Sequence, residues 1–144
     1  MIRARTLAQV YSLAFGATLA LSGLAGFLVD SSFTYGAHIQ PHTLVLFAVN
    51  GWHNVLHLVV GGLGIAAFAR PRLARAFAIG WGGTAAVLAV WAMASTYPAF
   101  GVIPAGIGGG ILHAFDGSLG ILAWQLSAPS RLGPRGRAQD PAGF

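Results

Sequence analysis

Four long apolar runs, flanked so that all positive charge falls at the termini and in the middle connection, leave this chain few ways to fold. The runs cover about 7–29, 43–69, 74–95 and 103–128 of the 144 residues. Each is near or above the ~20 residues a helix needs to cross a hydrocarbon core of roughly 30 Å. Their interiors are rich in glycine, which is ordinary in membrane helices and odd in soluble ones. Only 8% of the residues are charged and 56% are hydrophobic, where a soluble domain carries about a quarter charged residues. The expected fold class is an all-α membrane protein, with a four-helix transmembrane domain over 1–128 and a flexible basic tail over 129–144. The fourth helix begins near 103 or near 111, because "IPAGIGGG" also reads as a loop. "MIRAR" before the first run suggests a signal peptide, but an apolar run of about 23 residues exceeds the usual core of about 7–15. No clean A-x-A site follows it, so the first run is taken as an uncleaved span.

Charge orients the bundle. Arg3 and Arg5 precede the first run, Arg70, Arg72 and Arg75 join the second to the third, and Arg131, Arg135 and Arg137 follow the fourth. The connections 30–42 and 96–102 hold no Arg or Lys. The positive-inside rule then makes both termini cytoplasmic in a multi-pass membrane protein. The net charge of +5 is explained by lipid headgroups, so the bilayer is the expected partner and nucleic acid is not. The absence of Cys excludes disulfides, thiolate metal ligands and Cys nucleophiles.

The chain also echoes itself. "HLVVGGLGIAA" (57–67) lies over "HAFDGSLGILA" (113–123) at a constant offset of 56: His57 matches His113, Gly61 matches Gly117, Leu63-Gly64-Ile65 match Leu119-Gly120-Ile121, and Ala67 matches Ala123. A weaker echo sets "LAFG" (13–16) against "FAIG" (77–80). Each half then forms one helical hairpin, and the two hairpins form a parallel repeat about an axis along the membrane normal. That symmetry predicts His57 and His113 at similar depth on equivalent helix faces.

One polar island interrupts the apolar sequence, "VNGWHNVLHLVVGGLG" at 49–64. Residues three, four and seven apart share a helix face, so Asn50, His53, Asn54 and His57 are expected to form one stripe. His113, Asp116 and Gly117 form a shorter stripe in the fourth run. Ionisable groups inside a membrane face the bundle interior and find partners there. For Asp116, the only carboxylate in the core, the expected partner is His113 or His57. Gly61, Gly64, Gly117 and Gly120 allow helices to approach closely around this cluster, as do Gly16-x-x-x-Ala20 and Ser22-x-x-x-Gly26.

The stretch "FAVNGWHNVLHLVVG" resembles the signature of an uncharacterised family of four-helix bacterial membrane proteins, common in actinobacterial-type genomes. The pattern is roughly V-N-x-x-H-N-x-x-H-L-x-x-G, matched by Val49, Asn50, His53, Asn54, His57, Leu58 and Gly61. A shorter echo in the fourth run keeps Leu112, His113 and Gly117 but has Gly109 and Gly110 where the family has polar residues. The resemblance implies a membrane location and no particular reaction.

Several chemistries compete for the cluster. The plainest is interhelical hydrogen bonding, each bond worth ~0.6 kcal/mol. A haem b or chlorin ligated by His57 and His113 is another. A single transition-metal ion held by His53 and His57, with His113 or Asp116, is a third. A rhomboid-like hydrolase would need a Ser activated by His113, and Ser118 lies off that face. His38 and His42 read as solvated loop residues; Tyr35 and Tyr97 suit an interfacial belt, and the four tryptophans read as packing or lipid-facing. The leading expectation is a non-enzymatic accessory or scaffolding subunit, without a cofactor or catalytic residue, packing against larger membrane partners or copies of itself. The alternative is a cofactor-binding membrane protein.

Overall fold

The computed structural model describes residues 5–39 and 42–128, and the expected tail over 129–144 lies outside the described residues. The described residues form four α-helices: α1 (Leu7–Val29), α2 (Gly51–Ala67), α3 (Pro71–Ala94) and α4 (Ile107–Leu126). A short 3₁₀ turn at Gly36–His38 and a hairpin of β1 (His42–Leu44) and β2 (Phe47–Val49) fill the link from α1 to α2. Helices α1 and α3 are each long and apolar enough to cross a membrane.

Local chemistry sets these limits. Thr6 and Gln9 form a capping box at the start of α1: Thr6 Oγ1 accepts from the Gln9 amide at 3.2 Å, and Gln9 Oε1 accepts from the Thr6 amide at 3.1 Å. Pro71 opens α3, where its fixed φ suits the first helical position and its missing N–H is no loss. That places the start of α3 ahead of the expected 74. Helix α4 starts at Ile107, between the two expected positions, with Gly106 as its cap.

The second helix differs most from expectation, starting at Gly51 rather than 43. Residues 42–49 pair instead as an antiparallel hairpin, with His42 opposite Val49 and Leu44 opposite Phe47. "HTLVLFAV" is rich in β-branched and aromatic residues, which favour strands. Asn50 then stops the hairpin and starts the helix by accepting from the His53 amide at 2.9 Å. Asn50 is therefore the cap of α2, one step outside the stripe expected of it. The hairpin turns tightly: Leu46 N–H donates to the Leu44 carbonyl at 2.7 Å across Val45, whose φ is 59°. A β-branched residue at positive φ is a rare, strained choice.

Burial is inverted relative to a soluble bundle. Inside stand small residues such as Gly16, Gly64, Ala74, Ala78 and Ala85, together with Gln9, Ser12, Asn54, His57 and Asp116. Outside stand Leu21, Leu24, Leu28, Val59, Leu63, Val87 and Val90. Small interior residues let helix backbones touch, which is how helices associate where burial of apolar surface gives no advantage.

The helices cross at glycine. A Cβ on Gly16 would lie 2.8 Å from the Ile65 nitrogen, and one on Gly61 would lie 2.5 Å from the Ala20 nitrogen. Between α3 and α4, a Cβ on Gly82 would lie 3.0 Å from the Ile121 nitrogen, and one on Gly117 would lie 2.8 Å from the Ala86 nitrogen. Gly80, the expected counterpart of Gly16, faces open space. The glycine in the contact is Gly82, one half-turn further along α3.

Arginines and aromatics share one end of the bundle. Arg5 sits over the Phe68 ring, 4.7 Å to its centroid, and Arg75 sits over Trp124 at 5.1 Å. At the other end the hairpin, Asp30 and the 95–106 connection meet, and Asn50 Nδ2 donates to the Val102 carbonyl at 2.8 Å.

Candidate functional site

A cavity of about 380 Å³ lies beneath the hairpin, between α1, α2 and α4. His53 and His57 line it from α2, His113 and Asp116 from α4, Ser22 from α1 and Phe47 from β2. The expected companions therefore meet in one place. The His53 and His57 rings are 4.3 Å apart between centroids, and His53 is 6.5 Å from His113. Phe47 covers the pair, 5.8 Å from His53 and 5.9 Å from His57.

Hydrogen bonds orient two of the rings. His53 Nδ1 lies 2.9 Å from the Ala48 carbonyl. A carbonyl only accepts, so Nδ1 carries the hydrogen and Nε2 presents a lone pair. His57 Nδ1 lies 2.8 Å from Ser22 Oγ, which itself lies 2.9 Å from the Leu19 carbonyl. With the Ser22 hydrogen donated to Leu19, His57 is also the Nδ1–H tautomer. Its Nε2 is buried and has no hydrogen-bond partner, the only such side-chain atom among the described residues. Buried polar groups are nearly always paired, so this one calls for an explanation.

Asp116 is partnered otherwise than expected. Tyr11 donates to its Oδ1 at 2.5 Å and Trp81 Nε1 donates to its Oδ2 at 2.5 Å. Neither histidine is bonded to it. Both oxygens are met by neutral donors, and the side chain ties α1 and α3 to α4. Among the described residues, no three His or Asp side chains converge as a metal cage. Ser118 donates to the Ala114 carbonyl of its own helix at 2.7 Å, turned from His113.

The remaining island residues anchor the far end. Asn54 Nδ2 donates to the Asp30 carbonyl at 2.8 Å. The Asp30 side chain accepts from the Ser32 amide at 2.8 Å and meets His42 Nδ1 at 2.9 Å. Burial works to raise the Asp30 carboxyl, but the hydrogen bonds of Ser32 and His42 outweigh it and hold the group below its ordinary value. His42 thus has a partner and closes the hairpin base, whereas His38 is an exposed loop residue.

Tyr11, Trp81, Phe47 and the Ser22 hydroxyl are the site residues that sequence reasoning missed. No sequence signal pointed to them: the echo of 13–16 in 77–80 sets Tyr11 against Arg75, and only the register of the Gly16 and Gly82 contacts sets Phe15 against Trp81.

No curated protein and no solved structure gives a significant match to this chain. One family model does, over residues 9–125, from the first turn of α1 to the last turn of α4. The chain belongs to the family described as Domain of unknown function (DUF4383).

Proposed function

We propose that this protein is a four-span integral membrane protein of a bacterial inner membrane that holds a lipophilic small molecule in its histidine-lined cavity. The unpartnered Nε2 of His57, 94% buried with its residue at the wall of a 380 Å³ apolar cavity, is the observation that carries this reading. A ligand in the cavity that reaches this nitrogen, after a small side-chain shift that uncovers it, supplies the missing hydrogen-bond partner, and pockets of roughly 300–1,000 Å³ with few convergent polar groups are the usual form of small-molecule sites.

The membrane placement rests on apolar side chains facing outward and on the arginines gathered at one end. Both termini are then cytoplasmic. Two parallel hairpin repeats are supported by the matched glycine crossings, since Gly61, Gly64 and Ile65 meet α1 through the same atoms with which Gly117, Gly120 and Ile121 meet α3. The repeat is not equal in decoration: Asn50, His53 and Asn54 correspond to Gly106, Gly109 and Gly110. One hairpin carries the polar island and the other leaves space beside it.

A haem or chlorin bridging His57 and His113 fits less well, because the His53 ring stands close to both and would meet the macrocycle. A metal ion has two Nε2 lone pairs available, from His53 and His57, but among the described residues no third ligand converges on them. The accessory-subunit reading drew on glycine-rich faces, and Gly16, Gly61, Gly64, Gly82, Gly117 and Gly120 all serve contacts inside the bundle. Gly62, Gly80 and Gly83 face outward and leave room for a neighbouring helix, so a membrane-protein partner remains the second reading.

The test is chemical analysis of gently extracted protein. Mild detergent purification followed by solvent extraction and mass spectrometry is expected to yield a lipid-soluble molecule in stoichiometric amount. The amount should drop sharply in Thr18→Trp, which fills the cavity wall. A Soret band would favour a tetrapyrrole, stoichiometric metal would favour an ion, and equal traces of lipid in both proteins would refute a bound ligand.

A further inference from the structure

We propose, resting on the cavity reading above, that the ligand is the aromatic head group of a lipid-soluble quinone or its quinol. Size, lining and polarity each narrow the choice. The cavity of about 380 Å³ is over twice the ~150 Å³ that admits a benzene ring, which suits one ring or two fused rings. Phe15, Phe47 and Phe115 line it with flat apolar faces. Phe115 is 62% exposed and Thr18 is exposed, so the seam between α1 and α4 opens to the outer surface of the bundle. A ligand can enter there from lipid while its tail stays outside.

No Arg or Lys lines the cavity, and both oxygens of Asp116 are already engaged. Phosphate and carboxylate heads therefore find no counter-charge. The anchors on offer are the Nε2 atoms of His53 and His57: His53 is fixed as an acceptor by its bond to the Ala48 carbonyl, whereas the character of His57 can reverse. Ser22 Oγ stands 2.9 Å from the Leu19 carbonyl and 2.8 Å from His57 Nδ1. With the Ser22 hydrogen toward Leu19, Nδ1 is protonated and Nε2 accepts. With the hydroxyl turned to His57, Nδ1 accepts and Nε2 carries the hydrogen. One hydroxyl rotation and one tautomer change let the same nitrogen receive a quinol O–H or donate to a quinone carbonyl. A head group whose oxygen alternates between those two forms matches an anchor that does the same. The proposal concerns binding and assigns no electron transfer to this chain.

The experiment uses the full chain in mild detergent with 2-methyl-1,4-naphthoquinone as the probe and 2-methylnaphthalene, the same rings without oxygens, as its comparator. Tryptophan fluorescence follows binding, since Trp81 lies 6.2 Å from His113 between ring centroids. The expected result is saturable one-to-one binding of the quinone, about tenfold tighter than the hydrocarbon. His57→Leu should remove that advantage, His38→Leu should keep it, and Thr18→Trp should abolish binding of both probes. Nitrogen-15 signals of His57 should move to the Nε2–H tautomer when the quinone binds. If His57→Leu fails to fold, Ser22→Ala tests the same relay and should reduce the preference for quinone over hydrocarbon. Equal binding of both probes, unchanged by His57→Leu and lost in Thr18→Trp, would overturn the quinone inference and leave the cavity reading standing. Binding of neither probe would overturn both. Saturable Zn²⁺ binding at His57 without quinone binding would replace the inference with a metal site.

Discussion

Tyr11 of α1 donates its hydroxyl hydrogen to Asp116 of α4, at 2.5 Å, linking the first helical hairpin to the second through a buried carboxylate. Replacing Tyr11 with Phe keeps the ring and strands one oxygen of Asp116. Leaving a buried acceptor unpaired costs about 1–3 kcal/mol, so Tyr11→Phe should lower stability by that amount in reversible unfolding within bicelles. A variant as stable as the parent would show that Trp81 alone satisfies the carboxylate.

Glycine position should matter more than glycine number. A Cβ on Gly64 would fall 2.9 Å from Gly16 Cα, backbone against backbone, whereas one on Gly62 would meet nothing within 4 Å. Gly64→Val is expected to cost about 1–3 kcal/mol by overpacking. Gly62→Ala should stay within about 0.5 kcal/mol of the parent. Thermal unfolding of the two variants side by side decides it, and equal losses would contradict the crossing described.

Acid should loosen the hairpin end first. Asp30 is held below its ordinary carboxyl value by Ser32 and His42 despite its burial. A depressed carboxyl stabilises the fold above its unfolded value, and that contribution is lost as pH falls through the lower, folded value. Stability is therefore expected to be flat with respect to this group at neutral pH and to decline below the usual carboxylate range. In Asp30→Asn the decline from this group should disappear. Hydrogen exchange of the hairpin amides across that range would read the effect directly. An unchanged acid limb in Asp30→Asn would assign the decline elsewhere.

Under the proposed membrane placement, the arginines predict the orientation. A fluorescent reporter that matures only in the cytoplasm, fused after Phe144, should be bright, and a periplasm-active phosphatase inserted within 96–102 should be active. The reverse pattern would invert the topology and remove the positive-inside rule as its cause.

The helices were legible because length and hydropathy state them directly, and the limits of α1 coincide with the first apolar run. The start of α2 was obscured because "TLVLFAV" is as apolar as a helix interior, and hydropathy alone cannot distinguish an apolar strand from a span. Asn50 held the decisive signal as a cap. At the site, the spacing of His53 and His57 correctly implied a shared face, and His113 joined them in one cavity. The partners of Asp116 were not legible. They come from Tyr11 and Trp81, on two other helices, and no spacing rule within one helix reaches across a bundle.

The inverted burial described above also bears on making the protein soluble. Recolouring the outer Leu and Val residues with charge would remove the aggregating surface, but the interior left behind is mostly glycine, alanine and polar groups. Burial of such residues in water returns little of the roughly 25 cal/mol per Å² that large apolar side chains provide. A repainted exterior would therefore need a newly stocked interior, and the glycine crossings leave no room for one.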